Sequence, residues 1–277
     1  MLKARIITAI CLFAAFLCAL FLLPPAGWLG FCTLIAALAF WEWGGLMALG
    51  GPFRLALGAG AVIAVVAMAS VFPSALGLGD GASDAWQVGR WLYFPAAAFW
   101  WVIVPLWLKR RWTVTHPLTG ILSGVLVILP SCLALVQLRQ LGAGQLLAVM
   151  AIVWLADIAA YFSGRAFGRH KLAPAISPGK TCEGAVGGAL AVVAYGLLFS
   201  SHLPATLSGN IVLLAVLLVL ITAISIVGDL FESLLKRQAG LKDSSNVLPG
   251  HGGVLDRIDS LTSTLPLVAL VRFGMAI

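Results

Sequence analysis

Long apolar runs constrain this chain more than anything else in it. The run from residue 210, NIVLLAVLLVLITAISIV, is typical, and a core helix in a soluble protein has no need of such length. Bilayer crossings need about 20 apolar residues, and nine runs meet that need, at about 5–23, 28–49, 55–79, 91–108, 119–138, 145–163, 183–202, 210–232 and 254–275. Of the 277 residues, 61% are hydrophobic and 10% charged, against roughly a quarter charged in soluble domains. The sequence predicts an all-α polytopic membrane protein with about nine transmembrane helices and no sizeable soluble domain. Lys3 and Arg5 precede the first run as in a signal peptide. No small-x-small site closes that run, however, and another follows Pro24 and Pro25 at once, so it reads as a retained helix.

Basic residues in the short loops set the orientation. Lys3, Arg5, Arg54, Lys109, Arg110, Arg111, Arg165, Arg169, Lys171, Lys180, Lys236, Arg237 and Lys242 all fall on one side, thirteen of the seventeen Lys and Arg. Arg90, Arg139 and Arg272 fall on the other, and Arg257 stands at a span end. This bias predicts a cytoplasmic N-terminus, a C-terminus outside and, in a bacterium, a multi-pass protein of the cytoplasmic (inner) membrane with its polar loops in the cytoplasm. The net charge of +7 is thereby explained by topology and anionic headgroups, and no nucleic-acid partner is expected. Cys11, Cys18, Cys32, Cys132 and Cys182 show no paired spacing, which excludes a disulfide framework and a zinc site.

The acidic residues divide the chain. Glu42, Asp80 and Asp84 precede residue 150, whereas Asp157, Glu183, Asp229, Glu232, Asp243, Asp256 and Asp259 follow it. Residues 1–140 therefore read as membrane scaffold, and 141–277 as a catalytic membrane region with polar loops at 164–182 and 236–253. Glu42, between Trp41 and Trp43, reads as a carboxylate at the inner interface.

Three constellations can carry chemistry. Asp157 lies within the sixth run with Tyr161 one turn on, and the chain then enters a Gly- and Arg-rich turn with Arg165 and Arg169. Arg forks match phosphate oxygens, and a carboxylate inside a span usually has a function. In SPGKTCEG, Ser177, Lys180 and Thr181 stand where the seventh run begins, suited to an anion at a helix start. Ser177-Pro178 with Glu183 also reads as a plain helix cap. GKT is no P-loop here, because position 174 is Pro where that motif needs Gly, and no strand is expected before it.

The third constellation runs from Asp229 to Asp259. Asp229 and Glu232 are three residues apart, followed by Lys236 and Arg237 one turn on. The loop carries Lys242, Asp243, Ser244, Ser245 and Asn246, then His251 among glycines; Asp256 and Asp259, again three apart, flank Arg257. Two carboxylate pairs, Asp229 with Glu232 and Asp256 with Asp259, on two joined helices suit a magnesium site. Lys236 and Arg237 would then neutralise charge on a leaving group, and His251 reads as an acid, a phosphate donor or a turn residue. Alternatively the same charges form helix-end ion pairs, Asp229 with Arg257 for example.

The run SLLKRQAGLKDSSNVLPGHGGVLDRID, together with ADIAAYFSGRAFGRHKLAPAISPGKTCEG, resembles the phosphatidate cytidylyltransferase (CDP-diglyceride synthase) family. Cys182 stands where that family has Trp. The resemblance implies condensation of CTP with phosphatidic acid to CDP-diacylglycerol and pyrophosphate, in phospholipid biosynthesis. It also implies Mg²⁺, a nearby K⁺ and a homodimer, with Asp229 and Asp256 as leading metal ligands. A CTP-dependent lipid kinase would use the same substrates but release CDP. An ion-coupled transporter would place its acids near mid-span, whereas these lie toward the inner face.

Overall fold

Each apolar run folds into a helix. The computed structural model describes residues 2–79, 83–200 and 205–274, with the side chains of 2–5, 83–86 and 205–206 excepted. Asp80 and the side chains of Lys3, Arg5 and Asp84 lie outside the described residues. In chain order the helices are α1 (Leu2–Leu22), α2 (Pro25–Leu46), α3 (Gly51–Val71), α4 (Ser83–Ala98), α5 (Val104–Arg110) and α6 (Pro117–Gln140). Then come α7 (Ala143–Phe167), α8 (Cys182–Leu198), the short α9 (Ala205–Ser208), α10 (Ile211–Gln238) and α11 (Leu255–Gly274). A π-helical turn, Phe99–Ile103, joins α4 to α5 in one bent span. Pro95 and Pro105 flank it, and each removes a backbone donor from the helical ladder, the usual cause of such a bulge.

Six of these segments, among the described residues, are long and apolar enough to cross a membrane: α2, α3, Gln87–Arg110, α6, α7 and α10. The described apolar part of α1 and the whole of α8 are shorter. α11 is not among the six. It opens with Asp256, Arg257 and Asp259 and continues through Ser260, Thr262, Ser263 and Thr264, so chemistry has displaced hydrophobicity there. The protein is a multi-pass, almost wholly helical membrane protein.

One element departs from an all-helical chain. Residues Lys171–Ala173 (β1) and Ser177–Thr181 (β2) pair antiparallel, Lys171 opposite Thr181. Pro174 keeps its neighbour Ala173 out of the α region, and Ile176 N–H closes the turn on Ala173 C=O at 3.0 Å. The segment expected to be loop is thus a small hairpin. It also moves the helix start: Ser177 and Lys180 lie on β2, and the cap of α8 is Thr181, whose Oγ1 accepts from Gly184 N–H at 3.1 Å.

α11 is the centre of the bundle, packed against α2, α4, α6, α7 and α10. Its Ser263 Oγ donates to the Ile224 carbonyl of α10 at 2.9 Å, and a side chain at Gly228 would collide with the Asp259 carbonyl at 2.9 Å. α7 and α8 approach as closely, since a Cβ at Gly184 or Gly188 would lie within 3 Å of the Ala160 or Ala156 carbonyl. Phe231 of α10 is buried among Trp43, Phe99, Trp100 and Trp107, ring centres 5.2–6.3 Å away. These contacts fix the rotation of α10 and so the direction of Asp229 and Glu232, on either side of Phe231.

Candidate active site

The two carboxylate pairs do meet, with Lys236 between them. Lys236 Nζ lies 2.6 Å from Asp256 Oδ1 and 2.9 Å from Glu232 Oε2. This locks the last turns of α10 to the first turn of α11. All three side chains are nearly enclosed, at 12%, 3% and 5% exposure for Lys236, Asp256 and Glu232. Glu232 Oε1 is buried without a partner.

Lys180, from β2, reaches Asp229 Oδ2 at 2.6 Å, and Ser233 Oγ donates to Asp229 Oδ1 at 3.2 Å. The hairpin is therefore drawn onto α10. Asp259 stands within electrostatic range of Asp229, Lys236 and Asp157, and Asp157 within range of Asp229 and Lys180. So α7, α10, α11 and β2 each contribute charge to one locus. The helix-end alternative Asp229–Arg257 does not form. Lys180 is the partner of Asp229, and Arg257 is exposed.

Asp157 is ten residues from the end of α7 and Asp229 nine from the end of α10, about 15 and 13 Å along the helices. Both helices continue past them into basic residues, Arg165 on α7 and Lys236 and Arg237 on α10.

The loop between α10 and α11 is shaped around Asp256. Its Oδ2 accepts from Ser244 N–H (2.8 Å), Ser244 Oγ (2.8 Å) and Gly253 N–H (2.7 Å). Gly252, at φ +79°, takes a conformation that side chains disfavour, and a Cβ there would lie 2.7 Å from Asp256 Oδ2. Leu248 N–H bonds Gly252 C=O at 2.9 Å, and His251 N–H bonds Leu248 C=O at 2.9 Å. His251 is half-buried, with its Nδ1 enclosed without a partner.

One contributor escaped the sequence reading. Glu42 of α2 is completely buried and accepts from Ser244 Oγ, Ser245 Oγ, Val254 N–H and Leu255 N–H at 3.2, 2.6, 2.9 and 2.7 Å. Its one sequence signal is that no other carboxylate falls inside the first five apolar runs.

The remaining candidates form the rim. Arg165 donates to the Tyr161 hydroxyl at 3.0 Å, and Tyr161 is 59% exposed. Glu183 accepts from Arg169 N–H (3.1 Å) and His170 N–H (3.2 Å) and meets His170 Nδ1 at 2.6 Å. It thereby pins the chain between α7 and the hairpin. Thr181 is committed to its cap, and Ser177 is only partly buried on β2. Arg237 donates to the Leu241 carbonyl at 3.4 Å, while Lys242, Asp243 and Asn246 are exposed.

Among the described residues, no three His, Cys, Asp or Glu side chains are close enough to hold a metal by themselves. The donor set nevertheless suits magnesium, which takes one or two carboxylates and completes its shell with water and phosphate oxygens. Two lysines offset part of the acids' charge, and a phosphate-borne cation would find Asp229 and Asp259 beside it. Asp256 is the most occupied of the three, with four donors on its two oxygens.

A carboxylate-lysine locus between two polar loops, set within membrane helices, suits a reaction between a soluble polyphosphate and a lipid. Comparison with known proteins agrees. The sequence profile of the Cytidylyltransferase family matches residues 3–274. The chain is 41% identical to a phosphatidate cytidylyltransferase of Pseudomonas aeruginosa, over 99% of this chain and 98% of that one. It is 37% identical to a phosphatidate cytidylyltransferase of Haemophilus influenzae, over 99% of both. A 136-residue stretch is 43% identical to the phosphatidate cytidylyltransferase of Thermotoga maritima, 48% of this chain and 50% of that one. On a match running nearly end to end, the chain belongs to the cytidylyltransferase family.

Proposed function

We propose that the protein is a phosphatidate cytidylyltransferase, joining CTP and phosphatidic acid to give CDP-diacylglycerol and pyrophosphate. The observation that carries this reading is the convergence of Asp157, Asp229, Asp256 and Asp259 with Lys180 and Lys236 beside two polar segments, the hairpin and the loop before α11. It occurs in a chain matched along nearly its whole length by proteins of that name.

In the reaction a phosphate oxygen of the lipid attacks the α-phosphorus of CTP. The bond from that phosphorus to the bridging oxygen breaks, and pyrophosphate leaves with the electron pair. No protein nucleophile is required, so the work of the protein is positioning and charge compensation. Lys180 and Lys236 hold positive charge where the leaving group develops negative charge. Arg165, Arg169, Arg237, Lys242 and Arg257 on the rim draw the triphosphate in from water, with Tyr161, Ser177, Thr181, Asp243, Ser245 and Asn246 around its path. His251, in the loop that leads to Asp256, would donate to a phosphate. Asp229, Asp256 and Asp259 would hold a magnesium ion, which supplies Lewis-acid polarisation of the phosphoryl oxygens, with K⁺ as a second cation.

The topology is part of the proposal: nine crossings, N-terminus in the cytoplasm, C-terminus outside, and the site open to the cytoplasmic face of the inner membrane. The basic loops support it. A homodimer rests on the family resemblance. Purified protein in liposomes, given CTP, phosphatidic acid and Mg²⁺, should release pyrophosphate and form CDP-diacylglycerol, and Asp256→Asn should abolish both. Release of CDP would instead mark a lipid kinase, and absence of both products from folded protein would overturn the assignment.

A further inference from the structure

We infer that Glu42 is a positioning residue of the active site, reaching in from α2 to fix both ends of the loop that presents Asp256. This inference rests on the activity proposed above. It makes a helix from the first half of the chain part of the catalytic unit.

The contacts of Glu42 divide between the two ends of one loop. Ser244 and Ser245 lie where the chain leaves the α10 side; Val254 and Leu255 lie where it enters α11. One side chain thus closes a segment of about a dozen residues, whose open form would otherwise be favoured by chain entropy. Val254 and Leu255 also offer the first free N–H groups of α11. A carboxylate there satisfies orphan donors and interacts favourably with the positive end of the helix. Asp256 is the next residue, so the anchor acts within one position of it.

Ser244 connects the two carboxylates directly. Its Oγ is 3.2 Å from Glu42 Oε2 and 2.8 Å from Asp256 Oδ2, and a hydroxyl has a single proton to donate. Glu42 is therefore one hydroxyl away from Asp256, and the two compete for that proton. Gly253 completes the fit, since a Cβ there would lie 2.5 Å from Glu42 Oε1.

Burying a carboxylate with no cationic partner is costly, and among the described residues none of the ion pairs includes Glu42. Each of its oxygens faces one hydroxyl and one backbone N–H. Glutamine cannot replace it, because whichever way the amide is turned its NH₂ confronts a backbone N–H, donor against donor. Aspartate keeps the two acceptor oxygens on a side chain one methylene shorter.

The test compares Glu42→Gln, Glu42→Asp and Ser245→Ala in the full-length protein, by steady-state turnover and by limited trypsinolysis at Lys242, an exposed residue two positions ahead of the clamped segment. Glu42→Gln should lower kcat by ~10- to 100-fold with KM for phosphatidic acid unchanged. It should speed cleavage at Lys242 while cleavage after exposed Lys171 keeps its rate. Glu42→Asp should restore part of both, and Ser245→Ala should show the same pattern in smaller measure, serving if Glu42→Gln does not fold. Wild-type turnover and loop protection in Glu42→Gln would overturn the inference. So would an equal rise in cleavage at Lys171 and Lys242, which would mark a general loss of stability. If wild-type protein makes no CDP-diacylglycerol, the proposed activity fails, while the proteolysis still reports on the clamp.

Discussion

Lys180 on β2 donates to Asp229 on α10 at 2.6 Å, and this bond joins two polar segments almost fifty residues apart in sequence. Both side chains are about a quarter exposed, so the pair stands at the opening of the site and not in its core. A pair so placed contributes under ~1 kcal/mol to stability. Lys180→Ala should therefore leave the melting temperature in detergent nearly unchanged. Turnover should fall by ~100-fold or more, the scale expected on removing one electrostatic contact to the transition state. A large fall in melting temperature with normal turnover would make Lys180 a structural residue only.

Lys236 should behave in the opposite way. It neutralises two acids, Glu232 and Asp256, whose side chains are about 5% exposed or less. Lys236→Met leaves both uncompensated, and breaking a buried pair from one side typically costs ~3–5 kcal/mol. Adding Asp256→Asn should recover part of that stability, because one of the stranded charges is removed. Turnover should stay absent in the double variant. Thermal melts of the two single variants and the double variant complete the cycle, and simple additivity would deny the coupling.

Much of this site could be read from local spacing. Asp229 with Glu232, and Asp256 with Asp259, stand three apart on helices whose length the apolar runs declare, and a short loop returns one helix beside the other. What could not be read depends on distance or on very short elements. Glu42 finds its partners 202 to 213 residues away, and neither the periodicity of α2 nor its two flanking tryptophans announce them. The hairpin is eight residues of paired strand, too short for an alternation pattern and set among prolines and glycines. Its formation moved the α8 cap from Ser177 to Thr181. Likewise Lys180 looked like a residue of a helix start, whereas as a strand residue it reaches across to Asp229.

Glu183 offers a test of the hairpin's placement. Its carboxylate gathers Arg169 N–H, His170 N–H and His170 Nδ1, so it fixes the segment through which α7 passes into β1. The His170 side chain is 80% exposed, and little folding energy is at stake. Glu183→Ala should melt close to wild type yet loosen the segment carrying Arg169 and, through β1, Lys180. KM for CTP should rise by ~5- to 10-fold with a smaller change in kcat, the mark of weakened ground-state binding. An unchanged KM would separate the hairpin from nucleotide binding.

Cation dependence follows from the way the acids are paired. Lys180 and Lys236 pair with Asp229, Asp256 and Glu232, so part of the repulsion among the carboxylates is relieved by the protein's own side chains. Chelation should abolish turnover and leave the melting temperature unchanged, unlike a structural metal, whose removal unfolds the protein. Added Mg²⁺ should restore activity. Asp229→Asn and Asp259→Asn should each raise the Mg²⁺ concentration needed for half-maximal rate, because an amide is a poorer partner for a hard cation. A fall in melting temperature on chelation would show that the carboxylates hold a cation in the resting protein. The two lysine bridges would then describe only its cation-free state.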